Sequence, residues 1–261
     1  MKKKGALFAI IIILLAILLI VGIFSLLFSI KDIELNYTNS LSKTDRLKLE
    51  SDINENLGKN VFGFSKKKFE AEIESNYPYI EIEHIEMVFP SKVIITLRER
   101  TPLFAINYNS KYYIFDKSSN LLDIASSNVG GDGDYSCVLV EGISKESLET
   151  LKSVEKAGGS PDVVKDKAVT MATEFFDVLN RLSFEYTDVQ IKGFFVSVEA
   201  DVDDNFLATT RYGTKFLIYD FSDNTEAKIA CMMGAYTSGL ASDPSSEIII
   251  GNNLVPVLKN N

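Results

Sequence analysis

The sequence predicts an α+β protein with three parts: an N-terminal single transmembrane helix, a small domain, and a larger mixed β-sheet domain with helices. Three observations support this fold class. The chain begins with a long apolar run without charges. Residues 31–101 show the order strand, helix, helix, strand, strand, and residues 102–261 combine short strand patterns with two longer helical ones. The 261 residues are enough for two folded domains after the helix.

The apolar run Ala6–Phe28 contains no charged residue, and Ser25 is its only clearly polar side chain. As a helix it would measure roughly 35 Å at about 1.5 Å per residue, enough for the core of a bilayer. Lys2–Lys4 precede the run and predict a cytoplasmic tail over 1–5, a transmembrane helix over 6–30 and an extracytoplasmic chain thereafter. The alternative is a cleaved signal peptide, whose apolar region would be about 7–15 residues long and would end at a small-x-small site. The run is longer, and the segment SLLFSIKDIE offers no such site.

The part of the chain after the helix is acidic. When the three N-terminal lysines are set aside, 24 lysines and arginines face 36 acidic residues, which leaves a net charge of −12. Such a domain repels phosphate polymers, so we expect no nucleic-acid partner. The two cysteines, Cys137 and Cys231, could form a disulfide outside the cytoplasm. Two small buried side chains are favoured, because Cys137 lies in the apolar segment CVLV and Cys231 in a predicted helix.

The small domain is predicted from strand alternation and helix caps. Its elements, in chain order, are a strand over 30–37, a helix from Ser42 and Asp45 to about Leu57 that Gly58 ends, a helix over 66–76, and strands over 79–89 and 92–99. Ser65 caps the second helix, on which Phe69 and Ile73 share one face. The apolar phase changes between Ile82 and Ile85, which predicts a bulge or two separate short strands.

The larger domain shows more strand patterns and two helical ones. Its predicted elements are a hairpin over 111–115 and 121–124 around DKSSN, a mobile loop over 129–136, the strand CVLV, a helix over 162–182, strands over 188–200, 206–211 and 214–220, and a helix capped by Asn224 and Thr225 that ends near 240. The last segment, EIIIGNNLVPVLK, is predicted as one strand, and Pro256 favours a position at a sheet edge.

The residue types that carry chemistry do not form a recognisable site. His84 is the only histidine and lies among glutamates in a predicted strand, without a nucleophile motif. The D-x-D-x-N run at 201–205 matches the start of a calcium loop, but Phe206 and Tyr212 occupy the positions that require Gly and Glu, so a polar turn is favoured. Lys66–Lys68 are expected on a solvated helix face. We therefore predict no enzymatic activity, no metal, no cofactor and no small-molecule substrate.

The segment IEMVFPSKVIITLRERTP, residues 85–102, resembles the signature that ends the POTRA domain of the bacterial cell-division proteins FtsQ and DivIB. NLGKNVF (56–62) and YPYIEIEHI (77–85) are similar to the family's segment between the POTRA helices and to its entry into the second strand. YYIFDKSSNLL (112–122) is similar to the hairpin that opens the family's second domain. The chain departs from the family near its end, where EIIIGNN stands in place of a frequent Asp-Leu-Arg.

The resemblance implies a POTRA domain over 31–101 and an FtsQ/DivIB-type β domain over 102–261. It also implies a non-enzymatic scaffold at the division septum of the cell membrane, which holds FtsL-like and FtsB/DivIC-like single-pass proteins and helps to regulate septal wall synthesis. Two alternatives stay open: a POTRA-type receptor or chaperone in secretion or sporulation, and an extracytoplasmic thiol enzyme.

Sheet edges are the expected binding surfaces, because an edge strand offers unpaired N–H and C=O groups to an incoming strand. The predicted partner-binding residues lie along the C-terminal edge and are Glu247, Ile248, Ile249, Ile250, Leu254, Val255 and Val257. The strand edges at Ile33–Tyr37 and Ile80–Ile85 are second candidates. Glu99, Arg100 and Pro102 are predicted to be structural, as polar contacts and a stiff exit at the joint between the two domains.

Overall fold

The computed structural model describes residues 2–128, 136–182, 187–240 and 246–259, with side chains from residue 11 onward. The chain forms two compact units, Met1–Glu99 and Arg100–Asn261, which we call unit 1 and unit 2. Of the predicted mobile loop over 129–136, only Ser136 belongs to the described residues.

Helix α1, Lys2–Leu27, contains the N-terminal apolar run. Its described side chains are exposed, with Leu18 at 67% and Leu26 at 72%. Over the described side chains, which in α1 begin at Ile11, no helix combines the length and the hydropathy needed to cross a bilayer. The predicted transmembrane helix is therefore not confirmed.

Unit 1 continues with three strands and two helices. These are β1 (Asp32–Tyr37), α2 (Arg46–Asn54), α3 (Lys66–Asn76), β2 (Ile80–Val88) and β3 (Lys92–Glu99), with a 3-10 turn at Val61–Gly63. Within the described residues the strands form one sheet in the order β1-β3-β2, with β1 parallel and β2 antiparallel to β3. The predicted order of elements is confirmed. The predicted bulge is confirmed as well, because the register shifts between Ile82 and His84.

The core of unit 1 lies between its sheet and its two helices. Alternate residues of β3 are fully buried, as their spacing predicts, and they are Val93, Ile95 and Leu97. Leu49 and Ile53 of α2 and the pair Phe69 and Ile73 of α3 complete this core. Burial of such side chains stabilises a fold by about 1.5–3 kcal/mol each.

The helix caps of unit 1 differ in part from the prediction. Ser65 caps α3 by accepting the N–H of Lys68, as expected. Asp45 alone caps α2, with its carboxylate accepting the N–H groups of Leu47 and Lys48. The predicted participation of Ser42 is wrong, because its N–H and hydroxyl both donate to Glu99 instead.

Unit 2 is built on one large mixed sheet with helices. Its strands are β4 (Phe104–Tyr108), β5 (Lys111–Phe115), β6 (Leu121–Ala125), β7 (Val138–Glu141), β8 (Phe195–Ala200), β9 (Phe206–Thr210), β10 (Lys215–Ile218), β11 (Glu247–Ile250) and β12 (Pro256–Lys259), and its helices are α4 (Lys145–Thr150), α5 (Lys167–Arg181), α6 (Asp188–Phe194) and α7 (Thr225–Thr237). Within the described residues the strand order is β12-β11-β10-β9-β8-β7-β4-β5-β6. Together with unit 1, this confirms the predicted α+β class with a larger mixed sheet.

Three predictions for unit 2 need correction. Residues 188–194 form helix α6 instead of the beginning of a strand, because Thr187 and Gln190 make a capping box. The last segment forms two antiparallel strands, β11 and β12, instead of one. Asn224 stands at the N-cap of α7 with φ 56° and makes no side-chain cap.

The core of unit 2 lies where α5 and α7 cover the sheet. The described side chains of α5 that face inward include Phe175 and Phe176, which are at most 1% exposed. Phe175 packs its ring on Phe195 of β8 and Phe206 of β9, at centroid distances of 5.1 and 5.0 Å. Helix α7 contacts α5 on one side and β11 and β12 on the other, so it fixes the C-terminal end of the sheet.

Candidate partner-binding edge

The C-terminal hairpin of unit 2 forms one end of its sheet. β11 pairs in parallel with β10, and β12 pairs antiparallel with β11 in a register that sets Ile249 opposite Val257. β12 is the outermost strand of this sheet within the described residues. Because alternate backbone groups of an outermost strand point away from its neighbour, β12 can accept another strand.

The structure places the predicted partner-binding residues in three environments. Glu247, Ile248, Ile249 and Ile250 form β11, which has a strand on each side, and Ile248 and Ile250 are fully buried. Leu254 and Val255 lie in the connecting turn, and Val257 lies on β12. The candidate edge is therefore β12 and not β11, because β11 already forms backbone hydrogen bonds with a strand on each side.

The surface around β12 is apolar and exposed. Val255 is 54%, Val257 52% and Leu258 38% exposed. At the end of the strand, the Lys259 ammonium lies 3.1 Å from a carboxylate oxygen of Glu247 on β11. Exposed apolar side chains on an outermost strand are unfavourable in water unless a partner covers them, so this arrangement favours binding by strand addition.

The turn that leads into β12 is held at several points. Leu254 has a positive φ of 56°, its N–H donates to Gly251, and the Val255 N–H donates to the side chain of Asn253. The Cys231 thiol of α7 donates to the Leu254 carbonyl at 3.2 Å. The edge thus follows a fixed turn, so it would need little further ordering to accept a strand.

The second candidate edge, β2 of unit 1, is protected by side chains of α3. The Ile82 N–H donates to a Glu74 carboxylate oxygen at 2.9 Å, and the Lys66 ammonium donates to the Ile85 carbonyl at 2.5 Å. Both backbone groups belong to the segment 80–85 that was predicted as a possible binding edge. Side chains that occupy edge groups in this way block strand addition.

The other two edges differ from β12 in other ways. β6 is joined at its first residue by a neighbouring segment, since Leu121 exchanges backbone hydrogen bonds with Gly158 and Gly159. β1, which contains the predicted edge Ile33–Tyr37, carries Asp32 and Glu34, both of which pair with Lys92. Among the edge strands described, β12 carries the apolar side chain with the highest exposed fraction, Val257 at 52%.

Comparison with known proteins relates these features to a family. The chain is 26% identical over 174 residues to the cell division protein DivIB of Clostridium tetani, with 63% of each chain covered. It is 31% identical over 93 residues to the cell division protein DivIB of Clostridium acetobutylicum, with 36% of each chain covered. Residues 28–100, which include every strand of unit 1, match the family model of the FtsQ-type POTRA domain. These matches show an FtsQ-type POTRA domain at 28–100 and support the FtsQ/DivIB family for the chain. The matches span less than two thirds of the length of these relatives.

Two charged residues of the FtsQ/DivIB signature lie on either side of the boundary between the units. Glu99 of unit 1 is buried, and its carboxylate accepts hydrogen bonds from the loop at 42–44. Arg100 of unit 2 donates to Asp116 at 2.8 Å, and both of these side chains are less than 10% exposed. Pro102 is buried at the entry to β4. Each of the two charges thus has a partner within its own unit.

The two cysteines of the chain lie in environments that suppress thiol reactivity. Burial raises the pKa of Cys137 to about 11, although nearby Lys192 and Arg211 lower it in part. Burial also raises the pKa of Cys231. Because the thiolate is the reactive form, both side chains are poor nucleophiles at neutral pH. This disfavours the alternative of a thiol enzyme.

The acidic run at 201–205 forms a turn. One Asp201 oxygen accepts the N–H groups of Asp203 and Asn205, and the other accepts the Asn205 amide at 2.8 Å. Within the described residues, no group of three or more metal-ligating side chains comes together. The carboxylate of Asp201 is therefore used to close the β8–β9 connection.

Proposed function

We propose that this chain, as a member of the FtsQ/DivIB family, is a membrane-anchored extracytoplasmic scaffold of the division machinery and has no enzymatic activity. A role in division is supported by the two relatives described above, which are both named cell division protein DivIB. The observation that carries the scaffold proposal is the β12 edge, where Val257 and Leu258 are exposed on the strand that is outermost among the described residues.

The membrane anchor is proposed from the N-terminal helix. All described side chains of α1 are exposed, and they are almost entirely apolar. A helix that is apolar on every side is stable only in an apolar environment. Lys2–Lys4 favour a cytoplasmic N-terminus, which would leave the part of unit 1 after α1 and all of unit 2 outside the cell membrane.

The proposed partners are FtsL-like and FtsB/DivIC-like single-pass division proteins. Strand addition to β12 would supply main-chain hydrogen bonds, and Val255, Val257 and Leu258 would supply the apolar contacts. The net charge of −12 after the anchor disfavours nucleic acid, and we propose no cofactor or small-molecule substrate. The structural role of Glu99, Arg100 and Pro102 between the two domains stays a prediction.

A charge introduced on the β12 edge tests the proposal. In the double variant Val255→Glu/Val257→Glu, two carboxylates would have to be buried in the complex, which is costly without partners. We expect binding to the extracytoplasmic part of an FtsB/DivIC-like partner to weaken at least tenfold, about 1.4 kcal/mol. The measurement is titration of the purified full-length chain in detergent micelles. Deletion of 245–261 would be a poorer test, because it also removes Ile248 and Ile250 from the core.

Val202→Glu is the matched control, because Val202 is 92% exposed in the turn between β8 and β9. It makes the same chemical change away from the edge, so its binding should equal that of the wild type. In growing cells, fluorescently tagged wild type and Val202→Glu should form rings at mid-cell, and the double variant should be dispersed. Normal binding by a folded double variant would refute the β12 assignment. A dispersed wild type would favour the role in secretion or sporulation.

A further inference from the structure

An aromatic cluster lies at the end of α1 in unit 1. The rings of Phe28, Phe62 and Phe89 contact one another, with centroid distances of 5.0 Å between Phe28 and Phe62, 6.5 Å between Phe28 and Phe89, and 5.7 Å between Phe62 and Phe89. Phe28 also stacks on Phe24 of α1 at 5.7 Å. The apolar surface of the helix therefore continues onto the folded part of unit 1.

The cluster is exposed although it is apolar. Phe62 is 69% and Phe89 58% exposed, and the neighbouring Val88 is 38% exposed. Full burial of such side chains would be worth about 1.5–3 kcal/mol each. A contiguous exposed group of this kind is typical of a surface that another phase or molecule covers.

Backbone hydrogen bonds fix the cluster in place. The Val61 N–H donates to the Phe28 carbonyl at 2.7 Å, and the Ile30 N–H donates to the Lys59 carbonyl at 2.8 Å. The Lys31 N–H donates to the Ser91 carbonyl at 2.7 Å. The three segments that carry the aromatic rings are thus joined to one another, so the surface is formed before anything binds to it.

Basic residues accompany the cluster. Lys31 and Lys59 are exposed and belong to the hydrogen-bonded segments just described. Lys66–Lys68 open α3, within six residues of Phe62, and no acidic residue lies in that first turn. Lys66 donates to the Ile85 carbonyl, but positive charge at a helix N-terminus opposes the helix dipole, so the α3 fold alone does not favour Lys67 and Lys68. Asp32, the acidic residue next to Lys31 in the chain, lies 3.4 Å from the ammonium of Lys92.

We infer that Phe62, Phe89 and Val88 insert into the headgroup–acyl boundary of the bilayer, and that Lys31, Lys59 and Lys67 contact anionic lipid headgroups. This inference rests on the proposed anchor. Two features favour lipid over a protein partner: the rings are continuous with the apolar surface of α1, and lysines flank them. Membrane contacts at the interface usually combine aromatic side chains at the level of the headgroups with lysine residues that flank an apolar surface.

Tryptophan fluorescence tests this inference, because the chain contains no tryptophan. Full-length Phe62→Trp and Phe89→Trp are reconstituted singly into vesicles of phosphatidylcholine and phosphatidylglycerol, with or without bromine on the acyl chains. We expect brominated lipid to reduce their emission about twofold, since interfacial side chains lie about 5–10 Å deep. Leu47→Trp is the control in unit 1, because Leu47 is 79% exposed on α2. It should not be quenched.

Leu18→Trp, within α1, separates the inference from the proposed anchor. If Leu18→Trp is quenched while both Phe→Trp variants behave like Leu47→Trp, the anchor stands and the membrane contact is refuted, which leaves the cluster as a protein-binding surface. If Leu18→Trp and both Phe→Trp variants all remain unquenched, the anchor and the membrane contact are both refuted. Quenching of Phe62→Trp without quenching of Leu18→Trp would support the membrane contact and refute the anchor. Replacing Lys31, Lys59 and Lys67 by Gln should weaken the quenching of Phe62→Trp in vesicles with phosphatidylglycerol only.

Discussion

Glu99 ends β3 with a carboxylate that is buried and fully engaged by one loop of unit 1. It is 6% exposed, and it accepts the N–H groups of Ser42, Lys43 and Thr44 at 2.6, 2.7 and 2.9 Å, as well as the Ser42 hydroxyl. These donors offset the cost of burying a charge. The sequence signature singled out Glu99, but not its partners, because the contacts join residues 55–57 positions apart.

Glu99→Gln should destabilise unit 1 by about 2–4 kcal/mol, because each hydrogen bond to a charged group is worth roughly 1.5–3 kcal/mol and the amide nitrogen of Gln cannot accept any. The substitution keeps the shape of the side chain. The loss is measured as a lower urea midpoint of the detergent-solubilised chain, and as faster hydrogen exchange at the amides of Ser42, Lys43 and Thr44.

Glu86→Gln is the control for Glu99→Gln, since it makes the same change at an exposed position on β2. Its urea midpoint and exchange rates should equal those of the wild type. If Glu99→Gln also retained slow exchange at 42–44, the carboxylate would not be what holds this loop.

The elements that the sequence predicted best are those whose local signals agree with one another. Helix α3 has a cap at Ser65 and two apolar residues on one face, and both indicated the same bounds. Residues 188–194 gave conflicting signals, since their apolar residues also fit a strand. The capping box of Thr187 and Gln190 was present in the sequence and decides for helix α6. In the same way, the GNN run at 251–253 contained the turn that separates β11 from β12.

The α6 capping box predicts the effect of a single substitution. Thr187→Ala removes the oxygen that accepts the Gln190 N–H at 3.3 Å, and it should lower the stability of unit 2 by about 1 kcal/mol. Thr187→Ser keeps the oxygen and should behave like the wild type. The measurement is hydrogen exchange of the α6 amides together with the thermal midpoint. Equal protection in the Ala and Ser variants would show that packing of Ile191, and not the cap, sets the helix start.

The order of the strands in unit 2 is a property of the whole molecule that local patterns do not contain. β10 and β11 are parallel neighbours separated in the chain by α7, and β4 and β7 are parallel neighbours separated by a hairpin. Such pairings depend on which faces the helices cover, so the sequence pattern could place the proposed binding edge near the C-terminus but not on β12. Pro256 was the one local sign of an edge strand, and the structure pairs it with Ile250 on the inner side.

Several carboxylates of unit 2 make its stability depend on pH in the acidic range. Burial alone would raise the pKa of Asp166, but hydrogen bonds from Ser144 and from the N–H of Ala168 outweigh it and leave the pKa lowered. The pKa values of Asp201 and Asp204 are lowered in the same way, by hydrogen bonds that exceed the effect of burial. A lowered pKa in the folded state contributes stability that is fully present above the unfolded value and is lost as the pH falls through the folded value.

Unit 2 should therefore lose stability below about pH 4, and Asp166→Asn should reduce that dependence. Asn retains a cap for α5 but cannot lose a charge, and its amide nitrogen cannot accept the Ser144 hydroxyl, which lies 2.7 Å from Asp166. In urea titrations we expect a free energy of unfolding lower by about 1 kcal/mol at pH 7, and a smaller difference between pH 7 and about pH 3 than in the wild type. Asp177→Asn, on the exposed face of the same helix, should retain the full pH dependence. An unchanged pH dependence in Asp166→Asn would mean that the acid sensitivity of unit 2 arises at its other carboxylates.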